Sequence, residues 1–358
     1  MSFALSEEEE AIAETARGYF AEVSGRLAAG AEWLGEVRNV GEQGWLRPAL
    51  DMPSGVGAML AAEAAGYALL PMPFSELACG VPVALAGWAP AELLLDSVTS
   101  GTEVWPLAGF DAVADGLRGR SPLSVRRAGD GWQLSGTAHS VQAARAHHGS
   151  LVVAVDTENS AFRLLAVPCS SGIVAAPAQS IDEGCPVAAV YFNDVPVADA
   201  AELPAEGIHR AARWGAAAAA AEMLGCASAL RDLAVEHART RHQFGMPIGS
   251  FQAVQHHCAD MHVLVESLRV AVWAAGLDAE TPKGDVDNVS VAKSYADTAA
   301  VRVGELSLQV HGGMGFTWES PVHRYIRRIR RLASSFGDAR WHREQLMARH
   351  LHEAGITL

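Results

Sequence analysis

Apolar residues three or four positions apart share one face of a helix. In the N-terminal part of the chain this spacing recurs at two groups of positions: Ile12, Ala16, Tyr19 and Phe20, then Met59, Leu60, Ala64 and Tyr67. Ser6 and Glu9 form a capping box, which satisfies free backbone N–H groups at a helix start. Pro71 and Pro73 interrupt the helical pattern. Residues 1–105 are therefore predicted to be mainly helical.

The pattern changes between residues 106 and 205 to short apolar runs bounded by Gly, Asp and Pro, which is typical of strands. Four runs are predicted as strands: Trp132–Ser135, Ser150–Val155, Phe162–Val167 and Ala188–Phe192. Because the pattern places no helices between them, we expect a small antiparallel barrel or sandwich.

Helical spacing returns from residue 206, with helices predicted over 206–243, 249–278, 286–312 and 338–354. The sequence therefore predicts an α+β protein. Its expected domains are an N-terminal helical domain (1–105), a middle β-domain (106–205) and a C-terminal four-helix bundle (206–358).

Composition narrows the class of protein. The net charge of −14 argues against a nucleic-acid partner, because phosphate contacts need a basic surface. The five cysteines are scattered without a CxxC pair, as in a reduced, cytoplasmic protein. Glu7–Glu10 stand where a secretory signal would have basic residues. The alanine run Ala216–Ala221 is too short to cross a bilayer, so no membrane span is expected.

One segment with possible binding chemistry contains Arg241, Phe244 and Gly245. A guanidinium can bind two pyrophosphate oxygens through parallel hydrogen bonds, and Phe244 offers a flat apolar ring. Gly245 is predicted to end the preceding helix, where a left-handed residue is common. Taken alone, the segment is equally typical of an ordinary helix end with a basic last turn.

A second segment contains Gly312, Gly313 and Gly315. Adjacent glycines let a backbone approach a phosphate or adenosine closely. The segment is not a Rossmann fingerprint, because no strand precedes it and no βαβ unit surrounds it. Taken alone, it is also typical of a helix C-cap followed by a loop.

The two segments occur together, as RxxFGxPIxxFQxxQ from Arg241 and QVHGGxGFTxExPVxRxxR from Gln309. In this combination the chain resembles the acyl-CoA dehydrogenase family, most strongly over residues 210–330. The resemblance implies an FAD cofactor held in a neighbouring subunit, and therefore a tetramer or at least a dimer. The residues expected to contact the pyrophosphate and adenosine half of that FAD are Arg241, Gln243, Phe244, Gln252, Gln309, Gly312 and Gly313.

The chain departs from the family at the catalytic base. The resemblance places a Tyr-Glu-Gly-Thr segment, with the base as its Glu, on Ser335–Asp338, so Phe336 stands where the Glu is expected. A phenylalanine cannot accept a proton. Some relatives place the base on an earlier helix, which falls near Gly215, and the nearest carboxylates there are Glu206 and Glu222. No catalytic residue is therefore predicted in this chain.

The middle domain also departs from the family's motifs. The family's Thr-Glu-Pro-x-Ala-Gly-Ser-Asp segment should fall near residues 108–120, and its Lys-x-Trp-Ile-Thr-Asn segment on Ala138–Ala143. Neither is matched. The motifs that serve a neighbour's FAD are thus retained, while those that serve the chain's own flavin ring are lost.

These departures favour a non-catalytic, β-type subunit of a heteromeric acyl-CoA dehydrogenase, as in actinobacterial steroid-degrading α2β2 enzymes. The expected partners are a catalytic subunit, an acyl-CoA substrate with a bulky, steroid-like acyl group, and an electron-transfer flavoprotein. Two alternatives stay open. One is a self-sufficient homotetramer with a relocated base such as Glu206, and the other is a non-enzymatic scaffold of the same fold.

Three further patterns have structural interpretations. The basic run Arg324–Arg331 is interpreted as a solvated helical face or as intersubunit ion pairs, in preference to a contact with CoA phosphates. The His/Cys/Asp cluster of His256–His262 lacks a second pair at ligand spacing, so no metal is predicted. Core packing is expected, in preference to lining a substrate cavity, for Trp33, Trp45 and Trp214.

Overall fold

The computed structural model describes residues 5–52, 54–110, 123–143, 148–279 and 287–353. These residues fall into two compact units. The helical unit contains the residues up to Ser24, Ser54–Leu70 and the chain from Ala217 onwards. The sheet unit contains Gly25–Pro53 and Pro71–Ala216.

The helices follow the apolar spacing of the sequence. In chain order the α-helices are α1 Glu7–Ala28, α2 Trp33–Glu42, α3 Pro48–Asp51, α4 Gly55–Tyr67, α5 Val81–Leu85, α6 Glu92–Thr99, α7 Glu206–Thr240, α8 Gln252–Asp278, α9 Asn288–His311, α10 Val322–Ser334 and α11 Ala339–Glu353. A single turn of π-helix, Ser75–Gly80, precedes α5.

The strands of the sheet unit form one sheet in the described part of the chain. They are β1 Leu107–Ala108, β2 Leu123–Ala128, β3 Gly131–Gln142, β4 Gly149–Asp156, β5 Phe162–Pro168, β6 Ile173–Ala178, β7 Val187–Ala198 and β8 Glu202–Leu203. The order is β6-β7-β3-β2-β4-β5-β8, with β1 beside β4.

Alternation along the strands defines the core of the sheet unit. Leu134 lies opposite Val195 and Val152 opposite Leu165, and all four side chains are buried. Most pairings are antiparallel, as predicted. The prediction was wrong for two of them, because β4 pairs in parallel with both β1 and β2.

The predicted fold class is confirmed: helices extend to Thr99, strands lie between Leu107 and Leu203, and helices resume at Glu206. The four predicted strands correspond to β3, β4, β5 and β7. The sequence pattern missed β2 and β6, and the boundaries between the three predicted domains stay a prediction.

Small residues let α4 and α7 approach closely within the helical unit. A Cβ added to Gly225 would lie 2.0 Å from the Glu63 carbonyl oxygen, and one added to Gly66 would lie 2.0 Å from the Glu222 carbonyl oxygen. The alanine run Ala216–Ala221 on α7 is buried throughout. This part of α7 therefore packs through backbone and methyl groups.

The three tryptophans considered above lie in the sheet unit. Trp45 and Trp214 are buried, in agreement with core packing. Trp33 is half-buried, and its Nε1–H donates to the Pro71 carbonyl at 2.9 Å.

Candidate functional site

The Arg241 segment forms a short β-hairpin with a two-residue turn after α7. The helix ends at Thr240, and His242–Gln243 then pairs antiparallel with Met246–Pro247. The two central residues, Phe244 and Gly245, have φ angles of 53° and 82°, as a type I′ turn requires. The prediction that Gly245 ends the helix is therefore wrong, because this glycine serves the hairpin turn.

The hairpin carries three of the predicted site residues on its surface. Arg241 is exposed, and its side chain makes no hydrogen bond or ion pair within the described residues. The Gln243 side chain donates to the His242 carbonyl at 2.8 Å. The Phe244 ring is 91% exposed and forms a T-shaped pair with the Phe251 ring, with ring centroids 6.0 Å apart. An exposed guanidinium thus lies beside an exposed ring.

The glycine segment caps α9. Gly312 follows the last helical residue with φ 58°, and its N–H donates to the Leu308 carbonyl. A tight turn over Gly312–Phe316 follows. A Cβ added to Gly312 or Gly313 would meet nothing within 4 Å. The segment is therefore a helix C-cap, and its backbone is open to an approaching group.

A stacked histidine pair brings the two segments together. His237, in the last turn of α7, lies against His311 at the end of α9, with ring centroids 4.6 Å apart. Burial lowers the pKa of His237, and the charges of His311 and Arg241 add to this effect. Because both rings sit at helix ends, the hairpin and the glycine turn are held at the same end of the helical unit.

Seven predicted side chains and backbone positions therefore occur on the surface of one unit. We call them the cofactor surface. Each is exposed in the described part of the chain: Arg241, Gln243, Phe244, Gln252, Gln309, Gly312 and Gly313.

The chemistry of the cofactor surface fits half of an FAD. A guanidinium without a partner in the described residues suits a pyrophosphate. The open glycine backbone permits close approach, and the exposed ring of Phe244 can cover a flat apolar face. These residues would hold the pyrophosphate and adenosine half, and none of them is a flavin-ring contact by the resemblance.

The loop at the expected base position carries Phe336, which is half-buried and left-handed at φ 56°. The two alternative carboxylates differ in environment. Glu206 is exposed in the first turn of α7. Glu222 is fully buried and faces Arg328 at 3.8 Å, so its carboxylate belongs to an ion pair. Neither lies in the Ser335–Asp338 loop.

The two family segments expected in the middle domain lie only partly within the described residues. Residues 111–122, which include most of the first predicted segment, lie outside the described residues. In the second, Ala138 is buried while His139 and Ser140 are exposed. The β3–β7 register shifts between Ala138 and Val141, and Ser140 is left-handed at φ 57°. The segment forms an irregularity in β3.

The basic run Arg324–Arg331 is not simply a solvated face. Arg328 is 0% exposed and donates to the Leu70 carbonyl at 2.9 Å, and Arg331 is also buried. Arg324 and Arg330 are exposed, in agreement with the prediction. The run does lie on a helix, α10, but a run of arginines carries no apolar signal that Arg328 would be buried.

Sequence reasoning also missed a buried polar network in the helical unit. Lys293 is 0% exposed and binds Asp297, and His342 lies between Ser290 and the Phe336 carbonyl. The only signal was the spacing of Lys293 and Asp297, four residues apart on α9. That spacing usually marks a surface ion pair.

Within the described residues, no group of three His, Cys, Asp or Glu side chains could hold a metal ion. No helix of that part of the chain is long and apolar enough to span a membrane.

Residues 207–351 match the family described as "Acyl-CoA dehydrogenase, C-terminal domain". A curated relative, 3-sulfinopropanoyl-CoA desulfinase of Paraburkholderia xenovorans, is 33% identical over 242 residues, which cover 62% of this chain. The match spans 61% of that relative's own length, which is less than two thirds.

Two solved structures share the fold over nearly the whole chain. A variant of the "Tcur3481-Tcur3483 steroid ACAD" is 26% identical with a TM-score of 0.85, covering 98% of this chain and 99% of that one. The "ChsE4-ChsE5 complex from Mycobacterium tuberculosis" is 24% identical with a TM-score of 0.85, covering both chains completely. Residues 207–351 are thus similar to the C-terminal domain of the acyl-CoA dehydrogenases, and the fold of the chain is the acyl-CoA dehydrogenase fold.

Proposed function

We propose that this chain is one subunit of an FAD-dependent acyl-CoA dehydrogenase. It supplies the pyrophosphate and adenosine side of an FAD site, and a second, different chain supplies the catalytic base. One observation supports both halves of this proposal. The cofactor surface is exposed and open, while the loop at the base position presents Phe336, which cannot accept a proton. A complete site therefore needs a second chain.

The chemistry divides between the two chains. Dehydrogenation of an acyl-CoA thioester removes a proton from the α-carbon and a hydride from the β-carbon. When bound, FAD supplies the hydride acceptor. Arg241 would bind the pyrophosphate with two parallel hydrogen bonds, and Phe244 would cover the adenosine side. The α-proton would pass to a carboxylate of the other chain, since a buried carboxylate can have the raised pKa that this step needs.

Two neighbours of the same fold support the nature of the partner and the substrate. Each is named as a pair of differently named proteins, and one of the two names describes a steroid enzyme. We therefore propose a second acyl-CoA dehydrogenase chain as partner in an α2β2 assembly, and a CoA thioester with a bulky, steroid-like acyl group as substrate. The electrons would pass to an electron-transfer flavoprotein.

A second candidate function follows from the desulfinase relative. Its name says that this similar protein removes the sulfinate group from 3-sulfinopropanoyl-CoA. Because Phe336 leaves this chain without the expected proton acceptor, a reaction other than α,β-desaturation is also tested. Release of sulfite from 3-sulfinopropanoyl-CoA by the chain alone would favour this function over dehydrogenation.

Reconstitution with an altered Arg241 tests the principal proposal. The chain is purified alone and after co-expression with an acyl-CoA dehydrogenase encoded nearby, and flavin absorbance and acyl-CoA oxidation are measured. We expect both signals only in the complex. Arg241→Ala should weaken FAD binding about 10- to 100-fold, because a charged hydrogen bond contributes about 1.5–3 kcal/mol.

Arg302→Ala is the matched control, since Arg302 is an exposed arginine on α9 that pairs with Glu305, and neither residue belongs to the cofactor surface. Its FAD affinity should equal that of the unaltered complex. Stoichiometric flavin and dehydrogenation in the chain alone would contradict the proposal, as would equal affinities of the two variants.

A further inference from the structure

The loop Ser335–Asp338 joins α10 to α11 through two consecutive left-handed residues. Phe336 has φ 56° and Gly337 has φ 91°. A phenylalanine rarely adopts this conformation, and it persists only where surrounding groups fix it. Gly337 has no room for a side chain, because an added Cβ would lie 2.7 Å from Trp341 Cε3. The loop is therefore held by contacts outside itself.

His342 provides one of these contacts. The ring is buried, and its Nε2 lies 3.0 Å from the Phe336 carbonyl oxygen. A carbonyl can only accept a hydrogen bond, so Nε2–H donates. The other ring nitrogen, Nδ1, lies 3.1 Å from Ser290 Oγ. One side chain of α11 thus connects the left-handed residue to α9.

Lys293 provides the second contact, at the beginning of the loop. Its Nζ donates to the Ala333 carbonyl at 2.9 Å, one residue before the end of α10, and to Asp297 Oδ1 at 2.8 Å. The loop ends where Asp338 Oδ1 accepts from the Trp341 N–H at 2.8 Å. The loop is therefore bound at its start, middle and end.

Stability alone does not account for a buried lysine. Burial lowers the pKa of Lys293 and raises the pKa of Asp297, because both charges lose their hydration. Apolar residues of similar volume often replace a buried ion pair without loss of stability. What an apolar residue cannot do is donate to the Ala333 carbonyl. The distinctive contribution of Lys293 is therefore the position of this backbone.

We infer that Lys293 and His342 are positioning residues that hold the Ser335–Asp338 loop in one conformation, so that the Phe336 ring is fixed at the position where the family's base is expected in this chain. The second clause rests on the proposed function, which places the base-bearing segment of the family on this loop. A fixed ring there keeps a proton acceptor out of this chain's own site.

A fluorine label tests the positioning role in the full chain without FAD or partner. With 4-fluorophenylalanine at position 336, the unaltered chain should give one narrow ¹⁹F resonance. Lys293→Met and His342→Leu should broaden or split it. His342→Gln should retain the single resonance, because its amide N–H can still donate to the Phe336 carbonyl. Ser290→Ala, a milder change, should broaden it partially.

The same label at Phe316 is the matched control, because this exposed residue lies in the Gly312–Phe316 turn. Its resonance should be the same in every variant. An unchanged resonance at 336 in the Lys293 and His342 variants would overturn the inference. Parallel changes at 336 and 316 would overturn it too, since the network would then stabilise the whole unit.

The position of the ring is tested in the active complex. Because the partner supplies the base and holds the flavin ring, Phe336→Ala should leave the ratio of kcat/KM values between a bulky and a short acyl-CoA unchanged. A shift of about tenfold, the size expected from a change of apolar pocket volume, would place Phe336 in the reacting site and overturn this part of the inference. Because the fluorine experiment needs no activity, a failure of the proposed function and a failure of the positioning role give different results.

Discussion

At the scale of single residues, the buried charges of the helical unit meet specific partners. Arg328 faces Glu222 and donates to the Leu70 carbonyl, and Lys293 binds Asp297. Removing one partner of such a pair leaves the other charge buried and costs several kcal/mol. These residues are therefore fixed parts of the packing, even where the sequence shows only a run of arginines.

His342 makes stability depend on pH. Burial lowers its pKa to about 3, the charge of Lys293 acts in the same direction, and the Phe336 carbonyl, Asp287 and Asp338 oppose it. Because the folded pKa lies below the unfolded value of about 6.5, the neutral ring favours the folded state. This stability is complete above pH 6.5 and is lost as the pH falls towards 3.

We therefore expect the free energy of unfolding in urea to fall more steeply between pH 7 and pH 4 in the unaltered chain than in His342→Gln. The difference should be on the order of 3 kcal/mol, from the 1.36 kcal/mol that one pKa unit represents. Parallel pH curves for the two proteins would show that protonation of His342 does not weaken the fold.

At the scale of elements, the sequence was most informative where apolar spacing is regular. The long helices α7, α8 and α9 were predicted from that spacing with ends wrong by a few residues. The hairpin of Phe244 was missed because its two strands have two residues each and read as a helix end. The packing of α10 was missed because Arg328 and Arg331 are buried without being apolar.

The crossing of α4 and α7 depends on glycine. Gly225→Ala would place a methyl group 2.0 Å from the Glu63 carbonyl oxygen, so the backbone of one helix must move. We expect a loss of about 3 kcal/mol in the free energy of unfolding, at the upper end for overpacking. Gly18→Ala, on the exposed face of α1 with nothing within 4 Å of the new Cβ, should gain roughly 0.5–1 kcal/mol. Equal effects at both sites in chemical denaturation would contradict the close crossing.

A substitution at Phe244 in the hairpin is expected to change FAD binding without weakening the fold. Phe244 occupies a left-handed turn position in which asparagine is preferred. Phe244→Asn should therefore leave the melting temperature equal or slightly higher, while FAD affinity of the complex falls because the exposed ring is lost. Thermal unfolding and FAD titration of the same sample check both. A lower melting temperature together with unchanged affinity would mean that Phe244 serves the fold alone.

At the scale of the whole molecule, the sequence alone could not bring the site together. Spacing gave each segment a chemistry, but an isolated arginine or glycine motif was equally typical of a helix end. The resemblance joined them, and the stacked rings of His237 and His311 are the contact that places their helix ends side by side. No pattern of apolar positions could predict that contact, nor the burial of Lys293 beneath the loop of Phe336.

The proposed sharing of one FAD site by two different chains predicts the number of flavins per chain. If this chain contributes only the outer half of an FAD site and a partner holds the flavin ring, an α2β2 complex contains half a flavin per chain. Native mass spectrometry of the co-purified complex, with flavin released and quantified by absorbance, measures both numbers. One flavin per chain would mean that this chain also holds a flavin ring, as the self-sufficient homotetramer with a base such as Glu206 requires. A complex without flavin would leave only the scaffold alternative.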